Sequence, residues 1–313
     1  MRPRPSASLA SSSGGSRTVG ASLILLAALL TAVVGVLAKE ALARGSAPLD
    51  LIAIRFALCG LLLGASMVVM DASFSARDRR GFGRSLPAGV LLCVGGVCEF
   101  EALARLPLAV VLVILFVNPV WLALYARMVK RERIGLRRLV AIFGMFAGVV
   151  LLLGPKVGVY DGIGILLALF ASVAWAAVFV LLDRAMDRVS PVAAIASAMI
   201  SAALLAIAIA LVVDSKSMSE QLGEPESLRF AIGVGAVSSV AFLALAIGLQ
   251  LSYVLDAAVV AATEPVFASV LAAVILDEVL SATQFVGAAM IVAGAVASTT
   301  ARPPSPVRSL PPP

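Results

Sequence analysis

Apolar runs long enough to cross a bilayer recur along the chain, separated by short stretches of charge, proline and glycine. A hydrocarbon core of about 30 Å needs about 20 apolar residues in a helix. On that measure the pattern predicts ten transmembrane helices, at residues 19–41, 50–70, 86–105, 108–126, 136–153, 162–182, 191–213, 230–250, 255–276 and 282–298. The fold class is an all-α integral membrane protein. Pro48, Pro87, Pro107 and Pro191 stand near predicted helix starts, where the missing N–H costs nothing. Residues 1–18, rich in Ser, Gly, Pro and Arg, and the Pro-rich residues 302–313 cannot bury a core and are expected to be disordered tails. Arg2, Arg4 and Arg17 ahead of an apolar run resemble a signal peptide, but the run 19–38 exceeds a typical h-region and reads as an uncleaved first span.

Composition agrees. Of 313 residues, 61% are hydrophobic and 13% charged, with mean hydropathy +1.09, so the spans leave room only for tails and short loops. No soluble catalytic domain fits. The net charge of +6 lies in basic residues that flank apolar runs instead of forming a folded polar face, which argues against nucleic acid as a partner. Histidine is absent and Cys59, Cys93 and Cys98 all lie in apolar stretches, so imidazole catalysis, a His/Cys zinc site and a disulfide framework are not expected. No G-x-x-x-x-G-K-[ST] occurs, so ATP is not bound through a P-loop. Neither a cofactor nor a metal is implied; the partners are the lipid bilayer and a small-molecule substrate, and any pumping must draw on a gradient, such as that of protons, or on a partner.

The basic residues set the orientation. With the N-terminus inside, seventeen Lys and Arg fall in cytoplasmic segments, six of them in the turn around Glu132, against six outside, leaving Arg55 within span two. The positive-inside rule then places both termini in the cytoplasm, and the plasma membrane is the expected location.

A displacement of 146 residues aligns Val117-Asn118-Pro119-Val120-Trp121 with Thr263-Glu264-Pro265-Val266-Phe267, Glu132 with Glu278, and Ala147-Gly148 with Ala293-Gly294. Eight identities fall in the 33 positions from Asn118 to Val150. The Glu132 turn is basic, whereas Asp277-Glu278 has no basic neighbours and belongs outside. Two five-helix repeats, 19–153 and 162–299, are therefore expected in inverted orientation, an architecture that alternating-access carriers use around a midplane site.

These features resemble a known family. Five-plus-five spans, Pro48 and Arg55-Phe56 in span two, Ala174-Trp175-Ala176 in span six, Glu264-Pro265-Val266-Phe267 followed by Asp277-Glu278, and Gly287 with Gly294 in the last span are similar to EamA-type members of the drug/metabolite transporter superfamily. Ala102-Leu103-Ala104-Arg105-Leu106-Pro107-Leu108 and the Glu-Pro of span nine look most like the threonine/homoserine exporter branch. The resemblance implies secondary transport, and export of amino acids or related metabolites is the first reading.

Glu264 lies roughly 13 Å along predicted span nine at the helical rise, close to the midplane. A carboxylate there marks a pathway or proton relay, unless it serves as a protonated or hydrogen-bonded link between helices. Pro265 leaves a preceding carbonyl without its donor, which either opens backbone to a cavity or kinks the helix. Asn118 and Pro119 repeat the arrangement in span four without charge, where interhelical hydrogen bonding is the alternative. Arg55, about 7 Å in from Asp50, either binds an anionic substrate group or snorkels to the interface. Trp175 either packs between helices or lines the cavity. Glu99, Glu101 and Arg105 are placed near the outer surface, where Glu101 and Arg105 have the spacing of a local ion pair. Asp256 suits a helix cap, and Gly144 with Gly148 a close helix contact.

Uptake by the same fold is the second reading. A lipid-modifying enzyme would need clustered His, Asp or Arg at one membrane face, and a helical scaffold subunit would not call for a midplane Glu264. The topology is testable by single-cysteine labelling in a background lacking Cys59, Cys93 and Cys98. Cysteines in the Glu132 and Asp277-Glu278 turns should react with an impermeant reagent from opposite sides, and equal protection of both from outside would defeat the inverted repeat.

Overall fold

A computed structural model describes residues 14–70, 83, 85–115, 117–129, 131, 135–153, 161–186, 189–213, 215–251, 263–275 and 281–300. Among the described residues all regular structure is helical. These residues form twelve helices: α1 Gly14–Ala43, α2 Pro48–Met70, α3 Leu86–Arg105, α4 Leu108–Leu115, α5 Asn118–Met128, α6 Leu136–Leu153, α7 Gly162–Met186, α8 Pro191–Val213, α9 Ser215–Gly223, α10 Pro225–Leu251, α11 Glu264–Ile275 and α12 Ala282–Thr300. Six of them, α1, α2, α3, α7, α8 and α10, are long and apolar enough to cross a membrane. Shorter apolar segments, Leu139–Gly148 and Phe285–Gly294, lie within α6 and α12.

Several boundaries differ from the sequence pattern. The predicted fourth span, 108–126, is two helices, α4 and α5. Pro119 explains the interruption, since a proline cannot donate to the carbonyl four residues back. That carbonyl, Leu115 O, accepts instead from the Ser172 hydroxyl of α7 at 3.2 Å. The turn restarts at Val117, whose carbonyl accepts from Val120 N at 2.9 Å and Trp121 N at 3.4 Å. At the equivalent place Thr263 O accepts from Val266 N at 3.0 Å and Phe267 N at 3.3 Å. Glu264 therefore sits in the first turn of α11, where its negative end suits the helix dipole, and not in mid-helix. Helix α9 was not anticipated; its Met218 packs on the core and its Gln221 Nε2 donates to Ser227 O at 3.2 Å. Asp256, the turn at 251–254 beyond Leu251, the Glu132 and Asp277-Glu278 turns, and the 302–313 tail lie outside the described residues, as do residues 1–13.

The helices pack in a pattern that survives exchange of the two halves. Helix α1 lies on α10 and α3 on α7; α2 lies on α8 and α6 on α12; α2 also meets α10 as α3 meets α8. Within a membrane such contacts depend on close backbone approach through small residues more than on hydrophobic burial. Helix α8 is apolar on all sides and buries an unbroken run from Val192 to Met199, as a helix surrounded by others requires.

The α6–α12 contact is reciprocal. A Cβ on Gly148 would lie 2.7 Å from Gly287 O and 3.1 Å from Ile291 Cγ1, and one on Gly294 would lie 3.0 Å from Ala141 O and 2.2 Å from Met145 Cγ. Subtracting the 146-residue displacement maps one set onto the other. Gly144, expected to share this role, has open space around its Cβ direction, because it faces away from α12. At one end of the bundle Lys39 Nζ donates to Leu103 O at 2.5 Å and Leu106 O at 2.9 Å, tying α1 to the end of α3. Arg44 pairs with Glu226, and Arg105 with Asp161 at 3.6 Å, at the same end. Exposed pairs of this kind contribute little individually.

Gly148→Leu and Gly294→Leu should each lower stability by about 1–3 kcal/mol through overpacking, while Gly144→Ala should cause no loss. Thermal unfolding in detergent micelles distinguishes them, and a Gly148→Leu protein as stable as the parent would show that α6 and α12 are not in close contact.

Candidate functional site

Three close helix approaches build the site. On α3, a Cβ at Gly95 would lie 2.9 Å from Ala174 Cβ of α7, and one at Gly96 would lie 3.1 Å from both Ile52 Cδ1 and Phe56 Cζ of α2. On α10, a Cβ at Gly235 would lie 2.5 Å from Leu58 Cδ1 of α2. One turn beyond each glycine stands a functional group: Glu99 after Gly95 and Gly96, and Ser238 and Ser239 after Gly235. Small residues bring the helices together, and the next turn delivers the polar side chains.

Arg55 of α2 is only 2% exposed. Its Nε donates to Ser238 Oγ of α10 at 2.9 Å, and its guanidinium carbon lies 5.8, 5.4 and 5.7 Å from the ring centroids of Phe56, Phe100 and Phe242. Rings within about 6 Å stabilise a cation through their quadrupoles. Buried Nη1 has no hydrogen-bond partner. A guanidinium carries five N–H donors suited to bidentate capture of a carboxylate, so this edge is a ready anion-binding surface. The group points into the bundle and not toward an interface, which is where a snorkelling arginine would end.

Trp175 of α7 donates its indole N–H to Glu99 Oε2 at 2.8 Å and stacks on Phe242 with centroids 6.4 Å apart and planes inclined by 16°. Glu99 lies within electrostatic reach of Arg55, and Glu264 within reach of both Glu99 and Arg55. The structure thus brings together Arg55, Trp175 and Glu264 from the sequence-predicted set. Pro265 is buried beside Glu264 in the first turn of α11. Asn118 begins α5, with its Oδ1 buried and unpartnered. Pro119 follows it at the interruption that Ser172 bridges.

Sequence reasoning misplaced Glu99 by grouping it with Glu101 and Arg105. Those two do form an exposed pair at 3.5 Å, but Glu99 faces the interior. The helical period carried the signal: Glu99 shares a face with buried Leu92, Gly96 and Leu103, while Glu101 lies on the opposite side. Ser238, Phe100 and Phe242 also escaped notice, since nothing local separates them from ordinary packing residues, and Phe56 entered only through the family resemblance.

Buried charge of both signs, ringed by aromatic side chains inside a bundle of membrane-spanning helices, is the arrangement of a membrane transporter. The EamA-like transporter family matches residues 18–154 and again residues 162–300, and the chain belongs to that family. It is a multi-pass membrane protein. No curated protein matches it in sequence. A solved structure titled "Crystal structure of protein" superposes with TM-score 0.72 at 20% identity, covering 91% of this chain and 96% of that one, a likeness of fold.

Trp175→Phe keeps the aromatic stack but removes the donor to Glu99, and should cost about 1–3 kcal/mol, the range for leaving a buried acceptor unpaired. A double-mutant cycle with Glu99→Ala, which removes the acceptor, read by thermal unfolding, should give a coupling of about 1 kcal/mol; additive effects would mean that the indole does not hold Glu99.

Proposed function

We propose that the protein is a secondary transporter that exports amino acids or related small metabolites by alternating access, with both termini cytoplasmic and the plasma membrane as its location. Ten spans form two inverted five-helix repeats, 19–153 and 162–299. The half-exchange symmetry of the packing, the reciprocal Gly148 and Gly294 contacts and the basic residues around Glu132 support that reading. The observation that carries the function is the buried Arg55 guanidinium, whose Nη1 has no hydrogen-bond partner, ringed by aromatic side chains and within electrostatic reach of Glu99 and Glu264. A charge in the membrane interior is costly and is retained for a pathway or a relay.

In this reading Arg55 receives an anionic substrate group, and Glu264 contacts a substrate amine or exchanges a proton. Trp175 forms a cavity wall. The helix starts at Asn118-Pro119 and Glu264-Pro265 place polar side chains beside the site, and non-helical backbone is tolerated in membranes where it is buried in protein. Proton coupling requires a group protonated in one state of the carrier and ionised in another, which a carboxylate with access to both sides supplies.

Glu264→Gln should preserve folding and abolish flux driven by a pH jump in proteoliposomes, while Glu264→Asp retains partial activity with a shifted pH profile. Arg55→Gln should reduce transport of carboxylate-bearing substrates by about tenfold or more. Wild-type rates and pH dependence in Glu264→Gln would make Glu264 a structural hydrogen-bonding residue, and normal transport by both Arg55→Lys and Arg55→Gln would remove Arg55 from the binding site.

A further inference from the structure

The site holds two carboxylates, Glu99 and Glu264, and one guanidinium, Arg55, all within mutual electrostatic reach. We infer that it is complementary to a basic amino acid, a substrate with one carboxylate and two cationic groups, and that a neutral zwitterionic amino acid is carried only together with a proton. The inference rests on the transporter reading above and names the substrate class of that site, adding Glu99 as a specificity-determining residue.

Charge counting gives the first argument. With all three side chains ionised the site carries one uncompensated negative charge. A zwitterion brings no net charge and leaves that excess in place, whereas a basic amino acid removes it. An unpaired charge in a low-dielectric interior is strongly unfavourable, so the zwitterion binds when one carboxylate has taken up a proton. In each case the bound site sums to zero.

The geometry gives the second argument. The substrate carboxylate has one destination, the buried and unpartnered Nη1 edge of Arg55, since Nε is already engaged by Ser238. Glu99 and Glu264 stand on different helices, α3 and α11, each within electrostatic reach of Arg55, and one cationic group of the substrate is assigned to each. Phe56, Phe100 and Phe242 surround the Arg55 guanidinium and Trp175 stacks on Phe242 beside Glu99, surfaces suited both to an alkyl chain and to a cation over a ring.

Among the described residues, the surrounding helices carry other charged groups. Lys39 of α1 is bound to the Leu103 and Leu106 carbonyls near the end of α3. Glu40, Arg44 and Glu226 make an exposed cluster between α1 and α10, with Arg229 one turn further along α10. Arg105, Glu101 and Asp161 make another between α3 and α7. Asp183 and Arg184 stand at the far end of α7, Arg137 and Arg138 in the first turn of α6, and α4 and α8 carry no charge. Asp50 shares α2 with Arg55 but lies about 140° around the helix from it.

The test uses purified full-length protein in proteoliposomes, with isotopically labelled lysine, arginine, leucine, threonine and glutamate as probes at several pH values. Wild-type protein at pH 8 should carry lysine or arginine about tenfold or more faster than leucine or threonine, the factor that 1.4 kcal/mol represents. Leucine or threonine flux should rise as the pH falls, and glutamate should be excluded. Glu99→Gln removes one negative charge and should reverse the preference, passing neutral amino acids at pH 8 without a proton. Equal or greater flux of neutral amino acids in the wild type, independent of pH, would overturn the inference while leaving the export reading in place. Retention of the basic preference by Glu99→Gln would overturn it too. Flux of none of the five probes would overturn both, and the wild-type comparison decides even if the variant does not fold.

Discussion

A buried guanidinium is the constraint around which the centre of this bundle is arranged. Arginine stays charged in proteins, so burial cannot be relieved by losing a proton. Compensation has to come from neighbours, and at Arg55 it comes from three aromatic faces, one serine hydroxyl and two carboxylates within reach. These groups lie on α2, α3, α10 and α11, so satisfying one charge requires four helices to hold their positions. Gly95, Gly96 and Gly235 belong to the same requirement, because a larger side chain at any of them would keep the helices apart and leave the charge exposed to hydrocarbon.

How much of this could be read from the sequence depends on the range of the interaction. Long apolar runs and their proline starts are local, and the helices they predict at 86–105, 136–153 and 191–213 coincide with α3, α6 and α8. Asn118-Pro119 was visible as a feature, but its consequence was not. Whether a proline kinks a helix or divides it depends on what satisfies the freed carbonyl, and here that is Ser172, distant in sequence. Glu99 illustrates the other limit. Two acids and an arginine within seven residues suggest a surface cluster, and spacing alone pairs Glu101 with Arg105 correctly. Only the phase of the buried face assigns Glu99 to the interior, and only tertiary structure supplies Trp175. For Gly144 and Gly148 the G-x-x-x-G spacing identified the right helix and half of the right contact; the second glycine of the interface stands on α12.

The correspondence between halves extends to individual hydrogen bonds. Val117 O and Thr263 O each accept from the residues three and four positions ahead, with the proline of each repeat in the intervening turn. Yet the repeats differ where chemistry is concentrated, with Asn118 at the position of Glu264. A helix start at this point is common to both; at this position the charge is confined to one. The halves are alike in their framework here and unlike in their electrostatics.

The contact between α6 and α12 bears on motion. Each glycine admits the backbone of the opposite helix, Gly148 at Gly287 O and Gly294 at Ala141 O. The principal packing of the pair is internal, with α6 meeting α4 and α11 more lightly. A side chain at either position would have to push the facing backbone away, so the seam keeps its closest approach only while both glycines stay opposite their carbonyls.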